Sequence, residues 1–191
     1  MFRWRKPSDA DIAQFITSQA PTTWNYPQVG ATRDHDPPAG YIVDHTRVKI
    51  GEGLATFQRG CQALQRWKQF ELGWVSLYHT EFPPEPGRTV AVLAHSLGMW
   101  ILNATRVVYL VEEETPIKRF GYAYGTLPQH VECGEERFQV DWDPATNDVY
   151  YDILAYSRPS HILTKIGFPY TRYKQRQFAR DSVQAVKRAV S

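Results

Sequence analysis

Six segments with the character of β-strands follow one another through the middle of the chain, and only short turns separate them. They are rich in β-branched and aromatic residues and are bounded by clusters of proline, glycine, asparagine and aspartate. The segments are 74–79, 89–97, 99–111, 120–126, 130–142 and 149–157. Because short turns join antiparallel strands, whereas parallel strands need long crossovers, this succession predicts an antiparallel meander.

Other elements are predicted before this meander. Ser8 and Asp11 have the spacing of a capping box, which predicts a short helix to about residue 18. Residues 20–40 are mostly Pro, Thr, Asn, Gly and Asp, which indicates a loop. A strand at 41–50 and a helix at 54–70 follow, and the helix is predicted from apolar residues at helical spacing.

The carboxy-terminal part is predicted to be helical. Ile162, Leu163 and Ile166 form a first turn or two, and Gly167-Phe168-Pro169 breaks it. A longer amphipathic helix is predicted at 170–189. Since an antiparallel sheet with one apolar face needs a cover, this helix should lie across the sheet. We therefore predict one α+β domain, residues 1–191, with about seven strands and a helical and loop extension at 1–40.

One predicted strand has a bulky face and a nearly bare face. Tyr122, Tyr124 and Thr126 alternate with glycine and alanine at positions 121, 123 and 125. A bare face is typical of a place where a sheet bends or another element packs closely. We expect the bulky face to form one wall of a ligand cavity, although the 14% aromatic content also suits an aromatic core.

The following strand carries ionisable residues on one face. His130, Glu132 and Glu136 have the parity of apolar residues at 138 and 140, so they point to the covered side of the sheet if no bulge intervenes. Desolvation there would raise the pKa of a carboxyl group and suit it to acid or base work. The alternative is a structural ion pair. Its candidate partners are Arg106, Arg119 and Arg158.

The strand at 41–50 offers a second pair of candidate binding residues. Alternation places His45 and Arg47 on one face and Asp44 on the other. If the first face looks inward, an imidazole and a guanidinium would anchor a carboxylate or phosphate. The alternative is a solvated or salt-bridged strand face.

The stretch Ala94-His95-Ser96-Leu97-Gly98 resembles the nucleophile elbow of an α/β-hydrolase, with alanine at the first glycine position. The elbow requires a strand that turns sharply into a helix. Here the residues from 99 to 111 are strand formers, and no oxyanion loop of the HGGG type precedes the serine. A plain strand and turn is therefore the preferred interpretation.

Charge and cysteine content exclude several classes of protein. The net charge is +2, so we expect no nucleic-acid partner, although seven basic residues and one acid follow Ser160 and allow a peripheral membrane contact through the last helix. No metal or cofactor is predicted, because His130 and Glu132 lack a second histidine at ligand spacing. Two cysteines and no long apolar run indicate a reduced, cytoplasmic protein without a transmembrane segment.

Four stretches together resemble an uncharacterised plant and bacterial family known only as a domain of unknown function. They are NYPQVGAT at 25–32, YIVDHTRVKIGEG at 41–53, YGTLPQHVECGEERF at 124–138, and YDILAYSRP with GFPYTRYKQRQFARDS within 151–182. The order of elements also resembles the helix-grip fold of START-like and pollen-allergen-like proteins. That resemblance implies a curved sheet wrapped around the last helix and a cavity for a hydrophobic or amphipathic small molecule. The alternative is an enzyme of hydrolase or cyclase/isomerase type that uses acid and base residues of the same cavity.

Overall fold

The computed structural model describes residues 1–34, 36–161 and 167–191. The strands within these ranges are β1 Phe2–Arg3, β2 Ile42–Glu52, β3 Val75–Tyr78, β4 Thr89–Ser96, β5 Met99–Glu113, β6 Lys118–Thr126, β7 Glu132–Trp142 and β8 Asp148–Pro159. The helices are α1 Asp9–Gln19, α2 Ala31–Asp34, α3 Gly53–Gln65, a 3₁₀ helix Lys68–Phe70 and α4 Phe168–Val190. The α+β class and the predicted order of strand, helix, six strands and long helix are confirmed.

The strands form one antiparallel sheet. Its order is β2-β8-β7-β6-β5-β4-β3, so β3 to β8 make the predicted meander and β2 returns to pair with β8. The short strand β1 was not predicted. It pairs with Trp100 and Ile101, at the end of β5 that β6 does not reach. Two residues carry too little pattern to be recognised in a sequence, because their pairing depends on a distant strand.

Most helices agree with the sequence, and the exceptions have physical reasons. The capping box of α1 is present, since Ser8 Oγ accepts a hydrogen bond from the Asp11 N–H and the Asp11 carboxylate accepts one from the Ser8 N–H. The short helix α2 lies in the segment predicted as a loop. Helix α4 begins at Phe168, two residues before the predicted start, with Gly167 as its N-cap and Pro169 in its first turn. The predicted turn at Ile162, Leu163 and Ile166 lies outside the described residues.

Both faces of the sheet are covered. The inner face packs against α3, the 3₁₀ helix and the second half of α4, and the core there includes Leu64, Phe138 and Val186. The outer face is covered by the amino-terminal extension, where Ile12 and Phe15 of α1 pack on β4 and β5. A sheet that is covered on both faces needs more apolar strand positions than a sheet with one face exposed to solvent.

The bare face of β6 lies under the extension, as its glycines suggested. A Cβ atom at Gly125 would lie 2.0 Å from the Tyr26 hydroxyl oxygen, and one at Gly121 would lie 2.3 Å from the Phe138 carbonyl oxygen. Only glycine allows such close approach. Gly125 therefore admits the extension and Gly121 admits the neighbouring strand β7, whereas the bulky face of the same strand lies on the inner side of the sheet.

Candidate functional site

A cavity of about 750 Å³ lies between the inner face of the sheet and the first half of α4. Four strands, β3, β4, β5 and β8, and the helix contribute apolar wall residues. They include Val75, Val92, Ile101, Ile153, Phe178 and Ala179. The second half of α4 packs directly on the core through Val183 and Val186, so the cavity is confined to the first half of the helix.

Strand pairing places the polar groups of the cavity floor in one row. Asp44 of β2 is opposite Ala155 of β8, which is opposite Glu136 of β7, which is opposite Tyr124 of β6. Residues directly opposite each other in antiparallel strands point to the same face. Four strands therefore present these side chains to the same space, and Ala155 leaves room between the two carboxyl groups.

Glu136 is held by one neutral partner. The Tyr124 hydroxyl donates a hydrogen bond to Glu136 Oε2 at 2.8 Å. Burial raises the pKa of the Glu136 carboxyl to about 8, the bond from Tyr124 opposes that shift, and the nearby acids Glu132 and Asp44 add to it. The side chain therefore takes up and releases its proton close to neutral pH.

Glu132 lies on the same face of β7 and also has a neutral partner. Gln175 of α4 donates a hydrogen bond from Nε2 to Glu132 Oε1 at 2.6 Å. Burial raises the pKa of Glu132 to about 7, although the bond from Gln175 and the charge of Arg172 lower it. This contact joins the floor of the cavity to the helix that covers it.

His130 borders the cavity as a neutral imidazole. Its Nδ1 lies 3.0 Å from both the backbone nitrogen and the carbonyl oxygen of Glu132. Burial lowers the pKa of His130 to about 3. The ring therefore carries no charge at neutral pH. Thr126 also borders the cavity, and its hydroxyl is bonded to Asn25 and to the Gly134 backbone.

Asp44 and Arg172 form an ion pair that sequence analysis did not assign to the site. Arg172 of α4 donates from both terminal nitrogens to the Asp44 carboxylate, at 2.5 and 2.6 Å. Alternation along β2 placed Asp44 on the opposite strand face from His45 and Arg47. This alternation was the one feature of the sequence that could have pointed to Asp44 as a site residue. Nothing in the sequence pattern indicated which face of β2 looks inward.

Three predicted site residues either lie outside the cavity or direct their side chains away from it. Tyr122 is on the inner face but lies fully buried in the core, where Gln69 donates to its hydroxyl. Arg47 lies on the outer face, paired with Asp141 and Asp152. His45 borders the cavity, but its Nε2 lies 2.8 Å from the Asp152 carboxylate on the outer face. The inward orientation considered for His45 and Arg47 is wrong, because Asp44 occupies that face.

The ion pairs considered for the two glutamates are also absent from the described residues. Arg106 donates to Thr89 and to backbone carbonyls of the extension, and Arg119 pairs with Glu113. Arg158 donates to the Cys133 sulfur. These arginines serve other parts of the fold, which leaves the cavity carboxyls with neutral partners.

Ser96 is not in a nucleophile elbow. It ends β4, and Leu97 and Gly98 form a two-residue turn into β5 with φ of 51° and 73°. Positive φ at both positions is typical of a β-hairpin turn between antiparallel strands. The Ser96 hydroxyl lies 2.6 Å from the Tyr170 hydroxyl of α4. The serine therefore links the hairpin to the helix and lacks a histidine partner among the described residues.

Two further site types are absent from the part of the chain that the structure describes. No group of three or more His, Cys, Asp or Glu side chains there is arranged to hold a metal ion. None of its helices combines the length and apolarity that a membrane crossing requires.

The fold and the cavity together define a helix-grip protein, in which a curved antiparallel sheet folds against a long carboxy-terminal helix. The family described as "Domain of unknown function (DUF1990)" matches residues 25–185, and the chain belongs to this family. The resemblance found in the sequence motifs is thereby confirmed.

Relatives in this family occur in distant organisms. The chain is 39% identical over 207 residues to a UPF0548 protein of Dictyostelium discoideum, with 100% of this chain and 96% of the relative covered. It is 34% identical over 155 residues to a UPF0548 protein of Arabidopsis thaliana, with 80% and 75% covered. A UPF0548 protein of Deinococcus radiodurans is 32% identical over 200 residues, with 99% and 98% covered.

Solved structures share the fold at low sequence identity. A hypothetical protein of Helicobacter pylori superposes with a TM-score of 0.51 at 13% identity, covering 89% of this chain and 99% of that one. A weaker likeness, with a TM-score of 0.49 at 11% identity, is to Ara h 8.0201, covering 79% of this chain and 98% of that one. At such identities the likeness concerns the fold alone.

Proposed function

We propose that this protein binds an apolar or amphipathic small molecule in the cavity under α4. The observation that carries the proposal is the cavity itself, whose volume of about 750 Å³ falls in the range of small-molecule sites. Such sites combine mostly apolar walls with a few polar groups that fix the orientation of the ligand. A well-packed core would have filled this volume with side chains.

The two kinds of contact have separate roles in this proposal. Val92, Ile153 and Phe178 supply apolar surface, and burying a ligand against such surface contributes about 25 cal/mol per Å². Glu132 and Glu136 stand at the polar end of the cavity and orient the bound molecule. Tyr124, Thr126 and His130 complete this polar end as ring, hydroxyl and imidazole contacts.

An enzymatic role is the less favoured function. Glu136 has a pKa near neutrality, which suits an acid or base. However, the nearest hydroxyl, that of Tyr124, has its pKa raised well above its usual value by burial, so it is a poor nucleophile. Ser96 is bonded to another hydroxyl, and no described histidine, aspartate or glutamate is hydrogen-bonded to it.

A peripheral membrane contact through α4 and a cytoplasmic location stay predictions. Arg176 and Arg180 of α4 are exposed and border the cavity, as does Leu97, which is 71% exposed. Basic side chains beside an exposed apolar one are typical of surfaces that meet anionic lipid. Co-sedimentation with vesicles that contain phosphatidylserine would test the contact, and its loss in Leu97→Ser would support it.

Binding can be tested with an uncharged dye and with a variant that fills the cavity. Nile red fluoresces strongly in apolar surroundings, so we expect its fluorescence to rise on addition of the wild-type protein. Ala155→Leu places extra methyl groups between Asp44 and Glu136 and should abolish the increase. Native mass spectrometry of the purified protein would identify a retained ligand directly. Equal fluorescence with both proteins, and no retained ligand, would contradict the proposal.

A further inference from the structure

We propose that the ligand of this cavity carries a protonated amine, and that the amine lies against the carboxyl groups of Glu136 and Glu132. This inference rests on the proposed binding function and specifies the chemical class of the ligand. It is based on the partners of the two glutamates, on the placement of the cations around the cavity and on the free oxygen that each glutamate offers.

Within the described part of the chain, neither glutamate is hydrogen-bonded to a positively charged side chain, although the charge of Arg172 acts on Glu132 from a distance. Among the described residues, neither takes part in an ion pair, whereas Asp44 beside them is paired with Arg172. Glu136 accepts from the Tyr124 hydroxyl and Glu132 from the Gln175 amide, both neutral groups. A buried carboxyl group without a cation beside it keeps its proton, whereas a cation at hydrogen-bond distance allows it to ionise. A bound cation would therefore supply the charged partner that neither glutamate has in the free protein.

Each glutamate also keeps one oxygen for a ligand. The hydrogen bonds from Tyr124 and Gln175 reach Glu136 Oε2 and Glu132 Oε1. Within the described ranges, no donor is bonded to Glu136 Oε1 or to Glu132 Oε2. Both side chains border the cavity, so these oxygens are available to a bound molecule.

The cations near the cavity that belong to the described residues are already engaged or face solvent. Arg172 is bonded to Asp44, and the Lys174 ammonium lies 3.5 Å from the centre of the Trp74 ring. Arg176 and Arg180 are exposed on α4. The floor is therefore acidic and the basic groups belong to the helix above it. A ligand carboxylate at the inner end would oppose ionisation of Glu132 and Glu136, whereas an ammonium would favour it and gain opposite charge.

The proton balance of binding follows from the groups that face Glu136. The titratable groups from the strands are Asp44, Tyr122, Tyr124, Glu132 and Tyr151. From α4, the cation is Arg172, which is paired with Asp44. Burial holds a proton on Glu136 in the free protein at neutral pH. An ammonium bound beside it favours the ionised form, so binding releases that proton, and the affinity for an amine rises as the pH increases from 6 to 8.

The test uses three probes with the same ten-carbon chain. Decylamine, decanol and decanoate are titrated against bound Nile red, and the concentration of half displacement is measured at pH 7.5. We expect decylamine to act at a concentration about tenfold or more below those of decanol and decanoate, because a charge-assisted contact replaces a neutral or repulsive one.

Glu136→Gln is the informative variant, because it keeps the shape and the bond from Tyr124 but cannot ionise. It should bring the half-displacement concentration of decylamine within about threefold of that of decanol, both measured on the variant. Glu81→Gln, which removes the same charge from an exposed loop, should keep the full preference.

The outcomes separate this inference from the function on which it rests. If Nile red binds, and decanol or decanoate displaces it at the same concentration as decylamine does, the proposal of an amine ligand is wrong and the proposed binding function stands. If Nile red does not bind the wild type and no probe does, both are wrong. A pH series on the wild type needs no variant, and a decylamine affinity that does not rise between pH 6 and 8 would overturn the proposal.

Discussion

Glu135 and Glu136 are neighbours on β7, and they occupy opposite environments. Glu135 points to the outer face and accepts hydrogen bonds from the Tyr26 hydroxyl, the Gly30 and Thr32 backbone N–H groups and the Thr32 hydroxyl. Glu136 points to the inner face and accepts one bond, from Tyr124. The same residue type is thus saturated with donors on one face and left short of them on the other.

On the outer face, the buried charged side chains form a network of hydrogen bonds and ion pairs with one another and with the extension. Arg137 donates to Asp152 at 3.0 Å and to the Thr32 carbonyl, and Asp152 also contacts His45. These contacts attach the extension to the sheet. Glu135 also stabilises α2, because its carboxylate accepts hydrogen bonds from N–H groups at the start of that short helix. The comparison teaches that a buried carboxyl with complete partners stabilises the fold, whereas one with incomplete partners marks a place for a ligand.

The largest effect should come from removing Glu135. Glu135→Ala leaves the donors of the extension buried without an acceptor, and we expect the free energy of unfolding to fall by about 3 to 5 kcal/mol. Urea denaturation would measure the loss. Glu136→Ala is the matched control and should cost much less at neutral pH. Equal losses in the two variants would contradict the contrast between the faces.

Truncation of Tyr124 tests the inner face. Tyr124→Ala removes the ring from the cavity wall, and we expect the affinity for Nile red to fall by about 1 to 3 kcal/mol. Tyr150→Ala removes a tyrosine from the outer face of β8 and should leave the affinity unchanged. Circular dichroism would establish that both variants are folded. A similar loss of affinity in both would place the binding site elsewhere.

The pH dependence of stability sharpens the comparison further. The pKa of Glu136 is about 8 in the folded protein against an ordinary value of 4.5, so the folded state holds this proton more tightly than the unfolded state. Its contribution is therefore complete below pH 4.5 and is lost as the pH rises through about 8.

We expect the free energy of unfolding of the wild type, relative to Glu136→Gln, to decrease by on the order of 4 kcal/mol between pH 5 and 8.5. Urea denaturation of the two proteins across this range isolates Glu136 from the other titrating groups. A difference that is constant with pH would indicate that the carboxyl is solvated like an exposed one.

The smallest effect should come from His45. Its side chain is 45% exposed, and its contact with Asp152 lies on the outer face. His45→Ala should lower the free energy of unfolding by less than about 1 kcal/mol and leave the Nile red affinity unchanged. A tenfold loss of dye affinity would show that the ring reaches the ligand after all.

Strand alternation predicted much of the site, and its failures are informative. The parity of Glu132, Glu136 and Tyr124 placed them together on the covered side, and they border the cavity. The same parity grouped Tyr122 with them, but a strand face continues from the cavity into the core, and only packing decides where one ends. For β2, alternation separated Asp44 from Arg47 without saying which of them faces inward.

The sequence by itself determined the six strands of the meander, β2, the longer helices and their order, because local propensity, alternation and turn residues are written in consecutive residues. It missed β1 and α2, which depend on contacts with distant strands. It also determined the family through four specific motifs. Contacts between distant segments were decided only by the tertiary structure: the extension on Glu135, Arg172 on Asp44, and the space left beneath the first half of α4. The physical reason is that hydrogen bonds and cavities depend on which surfaces meet, and a pattern within one segment carries no record of its partner.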